Sequence, residues 1–144
     1  EKKPIETTGE LNDIIRAAIP AKVRAKGGHP SKKTYQAIRI ELNHELDVLK
    51  NTLGQMIDLL NDHGRICVIT FHSLEDRIAK KFFKKMAGRP EDRFDRSSVQ
   101  DRIKLAELLT RKPICPSESE IAENPRSRSA KLRAIRKEGK DGGL

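Results

Sequence analysis

Apolar residues recur every three or four positions between residues 34 and 61, at Tyr35, Ile38, Leu42, Leu46, Leu49, Leu53, Met56, Ile57 and Leu60. That spacing covers one face of an α-helix and makes this the clearest helix in the chain. Ser31 or Thr34 is placed to cap its start, and Gly64 follows its end, where left-handed backbone favours a residue without Cβ. The pattern then changes abruptly. Ile66-Cys67-Val68-Ile69-Thr70-Phe71 is an unbroken apolar and β-branched run without alternation, which predicts a strand buried on both faces, as in a parallel sheet. Ser73 precedes Leu74-Glu75-Asp76 in a capping pattern, and Ile78, Ala79, Phe82, Phe83 and Met86 form the stripe of a second helix. Helix, buried strand, tight turn and helix in succession predict an α/β fold.

The flanking segments are weaker. Residues 11–26 carry Leu11, Ile14, Ile15, Ala18 and Ile19 at helical spacing, divided by Pro20, which disfavours helix at the preceding residue. A loop is expected at residues 27–30. Residues 88–98 are polar, charged and aperiodic, as in a surface insertion, and a short amphipathic helix is expected over residues 99–109. Ile114 and Cys115, between two prolines, are limited to an edge strand. Residues 118–124 predict one helical turn stopped by Pro125. Residues 129–135 predict a last strand with Ala130, Leu132 and Ala134 on one face. The Gly-rich end, residues 137–144, is expected to be a disordered tail.

Composition narrows the classes. With 144 residues, four Phe, one Tyr and no Trp, burial must rest on aliphatic side chains. No apolar run is long enough to span a membrane and no secretory signal opens the chain. Cys67 and Cys115 have neither metal-ligand spacing nor the density of a disulfide framework, so the expected compartment is the cytoplasm and no metal site is expected. The start Glu1-Lys2-Lys3, without Met, leads us to expect a processed product or a piece of something longer. The net charge of +9 points to a polyanionic partner, with nucleic acid first.

Candidate chemistry follows from position. The turn from strand to helix at His72-Ser73-Leu74-Glu75 is where open α/β sheets bind ligands. Ser73 is explained as a cap and Glu75 and Asp76 by the helix dipole, whereas capping does not explain His72. Gln36, Arg39 and Asn43 form a polar line beside the apolar stripe of the long helix, suited to hydrogen bonding a partner or closing a buried network. Two basic clusters remain: Arg77, Lys80, Lys81, Lys84, Lys85 and Arg89 on the second helix, and the segment from Arg126 to Lys140, where Arg126 and Arg128 follow a rigid Asn124-Pro125 turn. Backbone phosphates suit such clusters, although the helix cluster reads equally well as a solvated face. Aromatic interleaving is sparse, so a stacking platform is not expected. No glycine-rich phosphate or dinucleotide loop is present. The residues alone describe a basic α/β piece that touches nucleic acid.

Three stretches carry a resemblance: Thr34-Tyr35-Gln36-Ala37-Ile38-Arg39-Ile40-Glu41-Leu42-Asn43-His44-Glu45-Leu46, Phe71-His72-Ser73-Leu74-Glu75-Asp76-Arg77, and Glu123-Asn124-Pro125-Arg126-Ser127-Arg128-Ser129-Ala130-Lys131-Leu132-Arg133. In order and spacing they resemble the bacterial ribosomal RNA small subunit methyltransferase H (MraW) family, over about residues 11–136. Thr70 stands where that family usually has Ser. The resemblance implies the carboxyl-terminal part of a class I Rossmann-like methyltransferase sheet with flanking helices and the end of a helical insertion. Residues 1–30 would be the end of that insertion and a linker, and residues 31–136 the carboxyl-terminal half of the methyltransferase domain. It implies an enzyme that methylates the exocyclic N4 of a cytidine in 16S ribosomal RNA with S-adenosylmethionine. The donor-binding residues would belong to the amino-terminal half, so the isolated chain is expected to be inactive and to hold no cofactor.

The final strand would lie between those carrying Cys67 and Cys115, so a disulfide between them is not expected. His72, Asn43 and Arg39 would line the target-base pocket, and Asn124, Arg126, Arg128, Arg133 and Arg77 would contact RNA. The expected partner is 16S ribosomal RNA or the small ribosomal subunit, with no membrane, and an exposed sheet edge is expected to promote homo-oligomers. The competing readings are a non-enzymatic RNA-binding or assembly module derived from a methyltransferase, and an interaction fragment with no RNA role.

Overall fold

A computed structural model describes residues 3–25 and 28–139. Lys26, at the end of the first helical segment, Gly27 of the expected loop, and residues 140–144 of the expected tail lie outside them. The chain divides into two compact units, Glu1–Glu45 and Leu46–Leu144.

The first unit is helical. Helix α1 (Thr8–Ala18) is opened by a capping box in which Thr7 and Glu10 satisfy each other's backbone amides. It ends before Pro20, which starts the single turn α2 (Ala21–Arg24). Helix α3 (Lys32–Asn43) follows, and the Tyr35 hydroxyl, donating to the Thr8 carbonyl at 3.2 Å, ties it to α1. Ser31 occupies the N-cap of α3 but makes no side-chain cap bond.

The long helix expected over residues 34–61 is broken. His44 takes a left-handed conformation, φ 50°, and the chain restarts as α4 (Glu45–Leu59). Left-handed backbone is tolerated by Asn, Asp and His more readily than by other residues with a Cβ. At the far end of α4 the left-handed residue is His63, φ 61°, and not Gly64. Gly64 is needed for a different reason: a Cβ there would lie 2.6 Å from Leu60 Cγ and 2.8 Å from the Asn61 carbonyl.

The second unit is a mixed α/β arrangement on a small antiparallel sheet. Strand β1 (Arg65–Thr70) leads into α5 (Ser73–Met86). A 3₁₀ turn (Val99–Asp101) and β2 (Ala106–Leu108) occupy the region expected to be a helix over residues 99–109. Pairing decides this: Met86 accepts from the Leu105 amide at 2.8 Å, and β2 joins the last strand, so tertiary partners override local helix propensity. Helix α6 (Glu118–Glu123) and a 3₁₀ turn begun by Pro125 (Pro125–Ser129) lead into β3 (Lys131–Lys137).

The strand order is β1-β3-β2, and β3 runs antiparallel to both neighbours. Ile114 bridges Leu132 on the β2 side of β3, so the final strand lies between the segments of Cys67 and Cys115, both free and exposed.

Helices α4 and α5 cover one face of this sheet. Leu53 and Ile57 from α4, Phe83 from α5, and Ile66, Ala106 and Ile135 from the three strands form the core. The opposite face is open at β1, where Cys67 and Ile69 are exposed while Ile66 and Thr70 are buried. The expectation of a strand buried on both faces is therefore corrected. The apolar run is there, but within the described residues only one of its faces is covered.

Strand β3 alternates in side-chain direction but not in burial, since Arg133, Ala134 and Ile135 are all buried. Ala134 pairs opposite Cys67 and Leu132 opposite Ile69, on the open face, whereas Ile135 and Arg133 pair with Ile66 and Val68 on the helix-covered face. The strand also runs into the expected tail: Lys137 is its last residue, and its ammonium donates to the carbonyls of Ile57 at 2.9 Å and Leu60 at 2.6 Å. A cation there satisfies carbonyls that the end of α4 leaves unpaired.

Candidate nucleic-acid interface

The β1–α5 turn is built around its own cap. His72 is extended (φ −140°, ψ 164°), and its Nδ1 accepts the Glu75 amide at 3.3 Å. The Glu75 carboxylate reaches back to accept the Phe71 amide at 3.0 Å. The cap is therefore His72 and not Ser73, which is the exposed first residue of the helix. This reverses the expectation that capping explains Ser73 and leaves His72 over. To accept, Nδ1 carries no proton, so the neutral ring bears its hydrogen on Nε2. That atom lies 3.3 Å from Glu75 Oε1 without the alignment of a hydrogen bond.

Asp76, one residue further on, joins two of the three motifs. It is buried, and its carboxylate takes both arms of Arg133, Nε at 2.8 Å and a terminal nitrogen at 3.1 Å. Lys131 stands 3.8 Å away. The hydrogen bonds from Arg133 hold the Asp76 carboxyl below its usual 3.8, against burial, and the charges of Arg133, Lys131 and Lys80 add to them. Arg133 is thus placed differently from the expectation of a phosphate contact: alternation in β3 turns it toward the helices, where only a bidentate partner makes its burial tolerable.

The same register brings the other arginines to this end of the sheet. Thr70, at the end of β1, pairs with Lys131, at the start of β3, and its hydroxyl donates to the Lys131 carbonyl at 3.5 Å. Just before Lys131, Asn124 caps the 3₁₀ turn by accepting the Arg126 amide at 3.3 Å. Ser127 is buried, while Arg126 and Arg128 on either side of it are exposed. Neither has an acidic partner among the described residues. Arg77, exposed on α5, is likewise without one.

In the first unit, Arg39 and Asn43 come together on Glu45. Arg39 donates to Oε2 at 3.2 Å and its Nε lies 2.9 Å from Oε1 as an ion pair, and the Asn43 amide donates to Oε1 at 3.2 Å. Glu45 was not singled out in the sequence. Its signal was its place directly after Asn43-His44, where a left-handed residue turns the next side chain back onto the helix end.

A class I methyl-donor site requires a strand-to-helix turn with room for the donor against its backbone. The described β1–α5 turn does not fit one: the Glu75 and His72 side chains take the amides of Phe71 and Glu75, and no glycine lies between Gly64 and Gly88.

Residues 1–138 match the sequence profile of the MraW methylase family. A curated protein of Agathobacter rectalis, named ribosomal RNA small subunit methyltransferase H 2, is 62% identical over 139 residues, covering 95% of this chain and 44% of that protein. The ribosomal RNA small subunit methyltransferase H of Lachnospira eligens is 58% identical over 138 residues, covering 94% of this chain and 43% of the relative. That of Clostridioides difficile is 52% identical over 142 residues, with 94% and 44% covered. The chain thus spans less than half the length of these relatives. With its three motifs intact and the match running through almost the whole chain, it belongs to the MraW methylase family.

Proposed function

We propose that this chain is the acceptor-side, carboxyl-terminal half of an enzyme that methylates the exocyclic N4 of a cytidine in 16S ribosomal RNA in the cytoplasm. The observation that carries the reading is that Arg126 and Arg128 are exposed and have no acidic partner among the described residues, at the sheet end where His72 stands and Asp76 clasps Arg133. In this reading β1, β3 and β2 form one edge of a Rossmann-like sheet, a reading supported by β3 lying between β1 and the Ile114 bridge, the placement the resemblance implies. Residues 1–30 belong to a helical insertion and residues 31–136 to the catalytic domain. S-adenosylmethionine supplies the methyl group and is held by parts of the protein beyond these residues, so the isolated chain neither binds it nor methylates RNA.

Transfer to an amine depends on alignment more than on acid or base strength, and methyltransferases reach a base by extruding it from its stack. The chain's own groups suit that task. The His72 ring, largely buried, stands beside the approach to the base while its Nδ1 keeps the helix capped. Arg126 and Arg128 grip flanking phosphates. Arg39 and Asn43, aligned on Glu45, are base-contacting groups of the first unit. The free edge of β1, with Ile69 about half exposed, is where further strands add in a longer chain. Alone, the chain is expected to self-associate there; sedimentation showing only monomer at high concentration would count against it.

Replacing His72 separates cap from chemistry. In the protein extended to the length of its relatives, His72→Asn keeps a good cap and is expected to leave the melting temperature near wild type while methyl transfer falls at least about tenfold, a barrier change of about 1.4 kcal/mol. His72→Ala is expected to lose the transfer and, in addition, about 1 kcal/mol of stability. Full methyl transfer by His72→Asn would remove His72 from the site and favour a role in the fold alone.

A further inference from the structure

We propose that the groove between α5 and residues 88–98 is a second RNA-binding surface, which takes a single strand with phosphates on Lys80 and Lys84 and one base stacked on Phe94. It deepens the reading of an RNA-modifying protein and rests on it.

The apolar side of α5, with Ala79 and Phe83, is buried on the sheet, which leaves its basic side outward. Gly88, at φ 63°, turns the chain back along that side. Lys81 then grips Asp92 at 2.7 Å, and Lys84 reaches the Glu91 carbonyl at 3.5 Å. Asp95 accepts the amides of Glu91 and Ser97, each at 3.0 Å, and closes the loop on itself. The result is a cleft of about 730 Å³ whose lining is mostly basic, with Arg77, Lys80, Lys81, Lys84 and Arg93 against Glu91 and Asp92, and includes Phe94. Lys80 and Lys84 also border a smaller pocket, about 70 Å³, with Arg89 and Arg111, which extends the positive surface toward β2.

Phe94 gives the cleft a direction. The residue is 73% exposed, and the Arg93 guanidinium lies 4.7 Å from its ring centroid. An exposed aromatic ring backed by an arginine inside a cationic cleft is what an unpaired base can stack on, with its phosphates along the lysines. A duplex keeps its bases stacked on one another and offers the ring nothing. Phe94 stands apart from the basic helix in the sequence, and the loop alone brings the two together.

The test uses the 144-residue chain, a labelled single-stranded oligoribonucleotide and the matching duplex, followed by fluorescence anisotropy. Phe94→Ala is expected to weaken single-strand binding at least about fivefold and duplex binding less than about twofold. Lys80→Ala combined with Lys84→Ala is expected to weaken both and to reduce the salt slope for the single strand by more than about one unit. The proposal is overturned if wild type binds no RNA, if Phe94→Ala affects both ligands alike or neither, or if the lysine pair leaves the slope unchanged. Arg126→Ala with Arg128→Ala separates the two readings. If that pair binds as wild type while the groove variants fail, the groove stands and the phosphate role of Arg126 and Arg128 falls. If only the arginine pair fails, the reverse holds.

Discussion

Asp76→Ala is expected to destabilise the second unit by about 3–5 kcal/mol at neutral pH, because it leaves the Arg133 guanidinium buried and unpaired. Both side chains are almost wholly enclosed, with 12% and 9% of their surface exposed, so solvent screens little of the loss. Against a total stability of about 5–15 kcal/mol for a typical domain, that is enough to unfold much of the population. Arg133→Ala is expected to be similar, since it strands the carboxylate instead. The double variant Asp76→Leu with Arg133→Met is expected to recover most of the loss, because apolar groups of similar volume need no partner. Urea melts of the four proteins give the coupling directly. Single variants within about 1 kcal/mol of wild type would show that the clasp holds nothing together.

The same pair has a pH signature. The folded carboxyl of Asp76 titrates below its usual 3.8, so its contribution is fully present above that value and is lost as pH falls through the lowered one. As pH falls below 3.8, wild type is therefore expected to lose stability that Asp76→Asn does not, and the difference between their melting curves narrows.

Phe83→Ala is the second large effect, at about 3–5 kcal/mol. Phe83 is 2% exposed, its ring lies 6.2 Å from that of Phe82, and it packs with Ile66, Ala106 and Ile135, one residue from each strand. No neighbouring element can close the void without pulling α5 across the sheet. Phe83→Leu keeps most of the volume and is expected to cost less than about half as much. Thermal melts distinguish them, and equal losses for Leu and Ala would mean that shape rather than volume is what the site requires.

Much of the fold was legible because its signals are local. The stripe of α5, the turn at residues 118–124 and the final strand follow from spacing and punctuation. The break at His44 was not legible, since Leu42 and Leu46 stay four residues apart whether the backbone between them is helical or left-handed. Ser73 and His72 compete for one cap, and the sequence favours the hydroxyl; the backbone settles it by making His72 the last extended residue. Strand β2 was hidden because its three residues, Ala106–Leu108, have no pattern of their own and are specified by β3.

The candidate site shows the same division. Arg126 and Arg128 could be picked out because a rigid turn precedes them, and the structure leaves both exposed. Arg133 looks identical in the sequence. Only the register of β3, which pairs it with Val68 on the covered face, separates it from them. Asp76 reads locally as a first-turn acid that favours the helix dipole. Its part in clasping two distant motifs depends on a partner 57 positions away.

The central claim is that this clasped end of the sheet presents RNA to a methylating enzyme. It is tested most directly by nucleoside mass spectrometry of 16S ribosomal RNA after incubation of unmethylated small subunits with the protein extended to the length of its relatives and S-adenosylmethionine. Wild type is expected to produce N4-methylcytidine, and Arg126→Ala with Arg128→Ala to produce little, with donor binding and melting temperature unchanged. Methylation of another atom by wild type, or undiminished N4-methylcytidine from the arginine pair, would contradict the account.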